Sequence, residues 1–237
     1  MNISLTNFII INYLKKSKNF LVVFILGLLG CLSLYFIKSA GLGVTNLDYF
    51  FVMWFIMSLI YIYYICHLAT YDFSNKIIQF LYSSGYSRTQ YLINKMLLLL
   101  VIGFIHSLIL LIIYNFIFTN FIVDITNINQ IQILIIYPLM VLFLGSIDLT
   151  LAFLNQSKTK IIIANMVILI ILPTSIQGIL LNFGSTYLLN LYNNSPFKFI
   201  STCPSELNLN TFIVISTVLL TLLLFLFNLK LNKNKDF

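Results

Sequence analysis

Apolar residues fall into six long runs along this chain, separated by short polar stretches. The runs cover 20–37, 49–70, 96–118, 131–154, 161–181 and 211–229. A bilayer core of about 30 Å needs roughly 20 helical residues at a rise of about 1.5 Å each, so each run is long enough to cross. The pattern predicts an all-α polytopic membrane protein with six transmembrane helices in a single transmembrane domain, residues 1–237. Two segments stand apart. Residues 1–18 mix Leu5, Phe8, Ile9 and Asn12 with lysines and read either as an interfacial amphipathic helix or as a frayed extension of the first span. Residues 182–210 form the longest outer loop. They carry Tyr187, Leu188, Leu189, Leu191, Tyr192, Phe197 and Phe199 between breaks at Pro196 and Pro204, so short helices dipping back into the outer interface are expected.

Composition agrees with the pattern. Of 237 residues, 60% are hydrophobic and 8% charged, with a mean hydropathy of +1.02. A soluble domain carries about 25% charged residues, so lipid must be the solvent for most of this surface. The net charge of +7 does not indicate nucleic acid as a partner, because the cations sit in the short loops between runs. With the N-terminus in the cytoplasm, eleven of the thirteen basic residues lie inside and only Lys38 and Lys198 outside, beside Asp48, Asp124 and Glu206. Six spans with both termini cytoplasmic satisfy this positive-inside bias throughout. Cys31, Cys66 and Cys203 are scattered, with neither disulfide nor metal spacing. The first run has no small-residue cleavage pattern and reads as a retained helix rather than a signal peptide.

The inner loop 71–95 is the most informative stretch. Phe73, Ile77, Phe80 and Leu81 fall at i, i+4, i+7 and i+8, one apolar stripe on a short helix. Asp72 and Ser74 suit its N-terminus, and Gly85 suits a left-handed C-terminal cap. Ser87-Arg88-Thr89-Gln90 then has the form of a capping box opening a second helix that runs through Lys95. A helix, glycine turn and helix on the cytoplasmic face suits docking to a moving partner. An amphipathic helix lying on the inner leaflet is the alternative.

This loop resembles the signature of type-two ABC exporter permeases. That signature is an acidic residue after the second helix, a short coupling helix, a Ser–Pro/Gly–x–Ser–Arg turn, and a Lys opening the third helix. Here these are Asp72, 77–82, Ser84-Gly85-Tyr86-Ser87-Arg88 and Lys95. The six-helix topology with both ends inside and the long outer loop before the last helix are similar as well. The family's Glu-x-Glu followed by Gly-Thr is replaced by Asp72 to Lys76. The resemblance implies contact with a separate ABC ATPase subunit through Asp72, Phe73, Lys76, Ile77, Phe80, Leu81, Tyr82, Gly85 and Arg88. It also implies a second permease copy or a sister permease, and residence in a bacterial-type plasma membrane. Lantibiotic-immunity and phenol-soluble-modulin exporter permeases are of similar length, which implies an amphipathic peptide cargo.

No glycine here is followed by lysine, so the chain lacks a phosphate-binding loop. No cofactor is expected in this chain itself. ATP and Mg would be bound by the partner subunit, and the chain is expected not to be an enzyme.

Candidate transport-path residues are His106 in the third run, Asp148 in the fourth, and Asn165 and Gln177 in the fifth. Ionisable groups at membrane depth face a bundle interior or a cavity. A proton relay or cargo contact is one reading of His106 and Asp148. The other is that Asp148 is neutral or paired with a helix neighbour and that His106 is a neutral hydrogen-bonded residue. Two rival functions follow: a gradient-driven secondary transporter or channel using Asp148 and His106, and a non-transporting membrane scaffold subunit.

Overall fold

A computed structural model of the chain describes residues 25, 29–30, 32–33, 35–37, 39, 46–74, 77–83, 85–121, 130–172, 175–176, 178–179, 186–201 and 209–234. The amphipathic segment expected at 1–18 lies outside them, as do Lys76 and Gln177. Of the first apolar run, Ile25, Leu29, Gly30, Leu32, Ser33 and Tyr35 to Ile37 are described, all helical.

The labelled elements are α1 (Asn46–Ser74), α2 (Ile77–Ser83), α3 (Arg88–Phe121), α4 (Gln130–Phe153) and α5 (Lys158–Met166). A π-helical turn, Val167–Ile171, continues α5. Then come α6 (Thr186–Asn193), α7 (Pro196–Ser201) and α8 (Thr211–Asn234). Among the described residues there is no strand. Four stretches are long and apolar enough to cross a membrane: Trp54–Phe73, Arg88–Ile113, Ile131–Phe153 and Thr211–Asn234. The chain therefore has the helices of a membrane protein.

α4 is the centre of the bundle. It packs on α3 most extensively, and also on α8, α1 and α5. Within its apolar stretch 67% is buried, against 22% for α8. The α3–α4 seam is close because each helix meets the other at a glycine. A Cβ at Gly103 would fall 2.5 Å from the Pro138 Cα, and one at Gly145 would fall 2.5 Å from the Leu99 Cδ1. Small residues at such seams let helix backbones approach where dispersion, not water, drives association. Pro138 lies inside α4, and the backbone around it is what Gly103 accommodates.

α8 is apolar on its exposed side and polar on its buried side. Leu219, Leu222, Leu223, Leu226 and Phe227 are exposed, while Thr217, Thr221, Asn228 and Asn232 are buried. The amide of Asn228 donates to the Ser146 carbonyl on α4 at 3.1 Å. Thr217 and Thr221 return their hydroxyl protons to carbonyls one turn earlier, of Ile213 and Thr217, which satisfies them within the helix. The loop before α8 carries two short helices, α6 and α7. Phe199 and Ile200 of α7 are fully buried, and α7 packs against α8 and the π-helical turn.

Candidate functional site

The end of α1, the start of α3, the end of α4, the start of α5 and the end of α8 meet at one end of the bundle, called basal here. Phe73 stands edge-on to Phe153 at 5.0 Å, Arg88 reaches Asn232, and Cys66 Sγ donates to the Lys158 carbonyl at 3.7 Å.

Two turns at this end share one local design. At the first, Gly85 has φ of +85°; its N–H donates to Tyr82 O, and the Tyr86 N–H donates to Leu81 O, both at 3.1 Å. This is a Schellman motif, which needs a residue tolerant of the left-handed region. Ser87 then caps α3 reciprocally with Gln90. Gln90 N–H donates to Ser87 Oγ at 3.1 Å, and Ser87 N–H donates to Gln90 Oε1 at 3.3 Å. At the second turn Asn155 takes φ of 59°. Asn155 N–H donates to Ala152 O and Gln156 N–H to Leu151 O, and Ser157 caps α5 by accepting from Lys160 N–H. Gly85-Tyr86-Ser87-Arg88 and Asn155-Gln156-Ser157-Lys158 thus use the same sequence of left-handed residue, spacer, serine cap and cation.

A cation at the first position of a helix opposes the helix dipole. Both cations turn away from their own helices. Arg88 Nη1 donates to Asn232 O at 2.6 Å and Lys233 O at 2.8 Å, the negative end of α8, and its guanidinium lies over the Tyr82 ring at 5.4 Å. Lys158 Nζ lies 4.5 Å from the Tyr63 ring centroid and 3.3 Å from His67 Nδ1.

The hairpin that carries α2 is held at two places. On one side Asp72 Oδ2 accepts from Lys95 Nζ at 2.7 Å and from the Tyr91 hydroxyl at 3.0 Å, tying the end of α1 to α3 across the hairpin. On the other the Tyr82 hydroxyl donates to Asn232 Oδ1 at 2.7 Å, and Asn232 Nδ2 donates to Arg88 O at 2.9 Å. Burial pushes the Tyr82 phenol up to about 12, so it remains a donor to Asn232 at neutral pH. Asn94 also donates to the Tyr86 hydroxyl.

Two local expectations from sequence differ. Asp72 does not open the short helix: α1 runs on through Ser74, so Asp72 lies in its last turn. A carboxylate there opposes the helix dipole, and the Lys95 ammonium offsets it. The apolar stripe is also rotated. Ile78 is the buried residue of α2, Ile77, Leu81 and Tyr82 are half-buried, and Phe80 is 72% exposed. Of the residues expected to touch a partner, Asp72, Tyr82 and Arg88 are engaged within the chain, whereas Phe80 faces outward beside Gln79 and Ser83.

Within the bundle, Asp148 and Asn165 are brought together, both fully buried, with Asn165 Nδ2 donating to Asp148 Oδ2 at 3.0 Å. The same amide nitrogen lies 3.4 Å from Ile62 O on α1. His106 sits elsewhere, stacked on Tyr61 at 5.4 Å with its Nδ1 3.2 Å from the Tyr61 hydroxyl. Asn232 was not singled out from sequence. Its signal was available in the spacing of Thr217, Thr221, Asn228 and Asn232, one polar face on an apolar helix. A scan against protein-family models finds no match for the chain, and a search of curated proteins finds none either.

Proposed function

We propose that this chain is the transmembrane subunit of an ATP-binding-cassette exporter, driven by ATP hydrolysis in a separate subunit. The observation that carries the reading is the exposed Phe80 on a short helix tied to α8 by Tyr82, in a hairpin whose two arms are joined by Asp72–Lys95. A partner that grips Phe80 pulls on α8 through Tyr82–Asn232, while Asp72–Lys95 ties together α1 and α3, the two helices that the hairpin joins. A helix merely lying on a leaflet needs neither brace.

Orientation follows from charge. Arg88, Lys95, Lys158, Lys160, Lys230 and Lys233 lie on helix segments at the basal end, so the positive-inside rule puts that end in the cytoplasm, where ATP is. Six spans with both termini inside complete the topology, and α6 and α7 rest at the outer interface. One unit of this size cannot enclose a peptide-wide path, so a second copy or a sister permease is required. The cargo class is an amphipathic or hydrophobic peptide, and the compartment is the bacterial-type plasma membrane.

The test is co-purification of the tagged chain from its native membrane in mild detergent, with ATP hydrolysis measured in the complex. A soluble ATPase recovered in equal amount, and lost on Phe80→Asp, supports the reading. A chain that runs with no nucleotide-binding partner ends it.

A further inference from the structure

Asp148 and Asn165 satisfy only half of their hydrogen-bonding capacity. Asn165 Nδ2 donates to Asp148 Oδ2, but Asp148 Oδ1 and Asn165 Oδ1 are buried acceptors with no hydrogen-bond partner. Buried acceptors are almost always paired, and leaving two unpaired in an apolar interior is costly. One added proton removes both deficits. A carboxylic acid and a carboxamide form a closed pair: amide N–H to carboxyl oxygen on one edge, carboxyl O–H to amide oxygen on the other. The first edge exists here, and the two orphaned atoms are the ones that would make the second.

We infer that Asp148 and Asn165 form a site for one proton, held as a cyclic acid–amide pair between α4 and α5. The step is the simplest possible: the Asp148 carboxylate takes one proton on Oδ1 from hydronium, forming one O–H bond as one breaks and leaving water. No cation in the structure does the same work. Among the described residues the one ion pair is Lys95–Asp72, and Asp148 has no ionic partner. On the elements packed around α4, the titratable or charged groups toward this end are Tyr63, Tyr64, Cys66, His67, Tyr71 and Asp72 of α1, Arg88, Tyr91 and Lys95 of α3, Lys158 and Lys160 of α5, and Lys230 and Lys233 of α8. Lys95 is held by Asp72, and Lys158 is directed at Tyr63 and His67.

The placement gives the proton a structural consequence. The pair joins the central helix to α5, and the Asn165 amide also reaches α1 through Ile62 O. The π-helical turn begins two residues after Asn165. Such turns mark places where helix register is adjustable and are frequent at functional sites. With the proton bound, two hydrogen bonds fix α5 to α4 just before that turn. With it lost, one bond and a buried charge remain, and the contact loosens. The inference stands or falls independently of the ATPase partner.

Infrared difference spectroscopy of the purified chain tests it, comparing wild type with Asp148→Asn. Wild type should show a carboxylic acid C=O band that shifts in D2O, lost in Asp148→Asn. The variant should fold, because its new amide can donate to Asn165 Oδ1 in place of the proton. In Asn165→Leu the band should persist and move to higher frequency, as its hydrogen bonds are removed. If no acid band is lost in Asp148→Asn anywhere between about pH 5 and pH 8, the inference fails. It also fails if the Asp148 signal is a carboxylate that responds to sodium or potassium, which would make this a metal-cation site. Should Asp148→Asn not fold, a wild-type acid band that is unchanged by Asn165→Leu would equally overturn it.

Discussion

Arg88 and Asn232, 144 residues apart, hold each other reciprocally: the guanidinium donates to the Asn232 carbonyl at 2.6 Å, and the Asn232 amide donates back to the Arg88 carbonyl at 2.9 Å. Asn232 Oδ1 also takes the Tyr82 hydroxyl, so one buried side chain ties the last turn of α8 to both arms of the basal hairpin. Asn232→Leu should take the acceptor at Asn232 Oδ1 from the Tyr82 hydroxyl, costing about 1–3 kcal/mol where the hydroxyl stays buried; the Arg88 carbonyl, in the first turn of α3, still accepts within its helix. Tyr82→Phe removes one bond and should cost about 1 kcal/mol. Thermal unfolding in detergent measures both. The double variant should be less destabilised than the sum, since the two changes remove a shared bond.

Lys95→Met leaves the Asp72 carboxylate, 17% exposed, with only the Tyr91 hydroxyl. Breaking a buried pair costs about 3–5 kcal/mol, and residual access to water should bring this below that range. Adding Asp72→Asn should recover most of the loss. If Lys95→Met alone is neutral, the ion pair does not brace the hairpin.

The two glycines of the α3–α4 seam should respond unequally. At Gly103 the added methyl meets the Pro138 backbone, which cannot move without shifting α4. At Gly145 it meets the branched end of the buried Leu99 side chain, a softer obstacle than backbone. Gly103→Ala is therefore expected at the upper end of the roughly 1–3 kcal/mol that overpacking costs, and Gly145→Ala at the lower end. Equal losses of thermal stability would contradict the difference in the two contacts.

At Gly85 nothing lies within 4 Å of an added Cβ, so a substitution there tests the backbone alone. Gly85→Val should cost about 1–2 kcal/mol for its left-handed φ, and Gly85→Asn less. The equivalent position of the second turn predicts the converse: Asn155→Gly should be tolerated and Asn155→Val should not. Limited proteolysis at the two turns, alongside thermal unfolding, separates local fraying from global loss.

Phe80→Ala should change stability by less than about 0.5 kcal/mol, since the ring contributes to no core. Its effect is expected in partner capture instead. Retained binding of an ATPase at wild-type level would exclude Phe80 as the anchor.

The sequence by itself determined what depends on near neighbours and on bulk solvent. Apolar runs of spanning length, the basic residues between them, and the Gly85 and Ser87–Gln90 caps were all legible. Each is decided within a few residues, by burial in lipid or by a bond closed over three to five positions. The facing of α2 was not. Period alone put Phe80 with Ile77 and Leu81, but a helix of seven residues is short enough to rotate toward whatever holds it. Here Tyr82, bound to Asn232, turns Ile78 inward and Phe80 out. The same holds for Asp72 with Lys95 and for Asp148 with Asn165. Each residue was visible as an ionisable or polar group near or within an apolar run, and its chemistry announced that a partner was needed. Which partner it found was decided by the tertiary structure. Coulomb and hydrogen-bond interactions act over a few ångströms, and only the packing of α1, α3, α4, α5 and α8 brings residues from distant parts of the chain within that range.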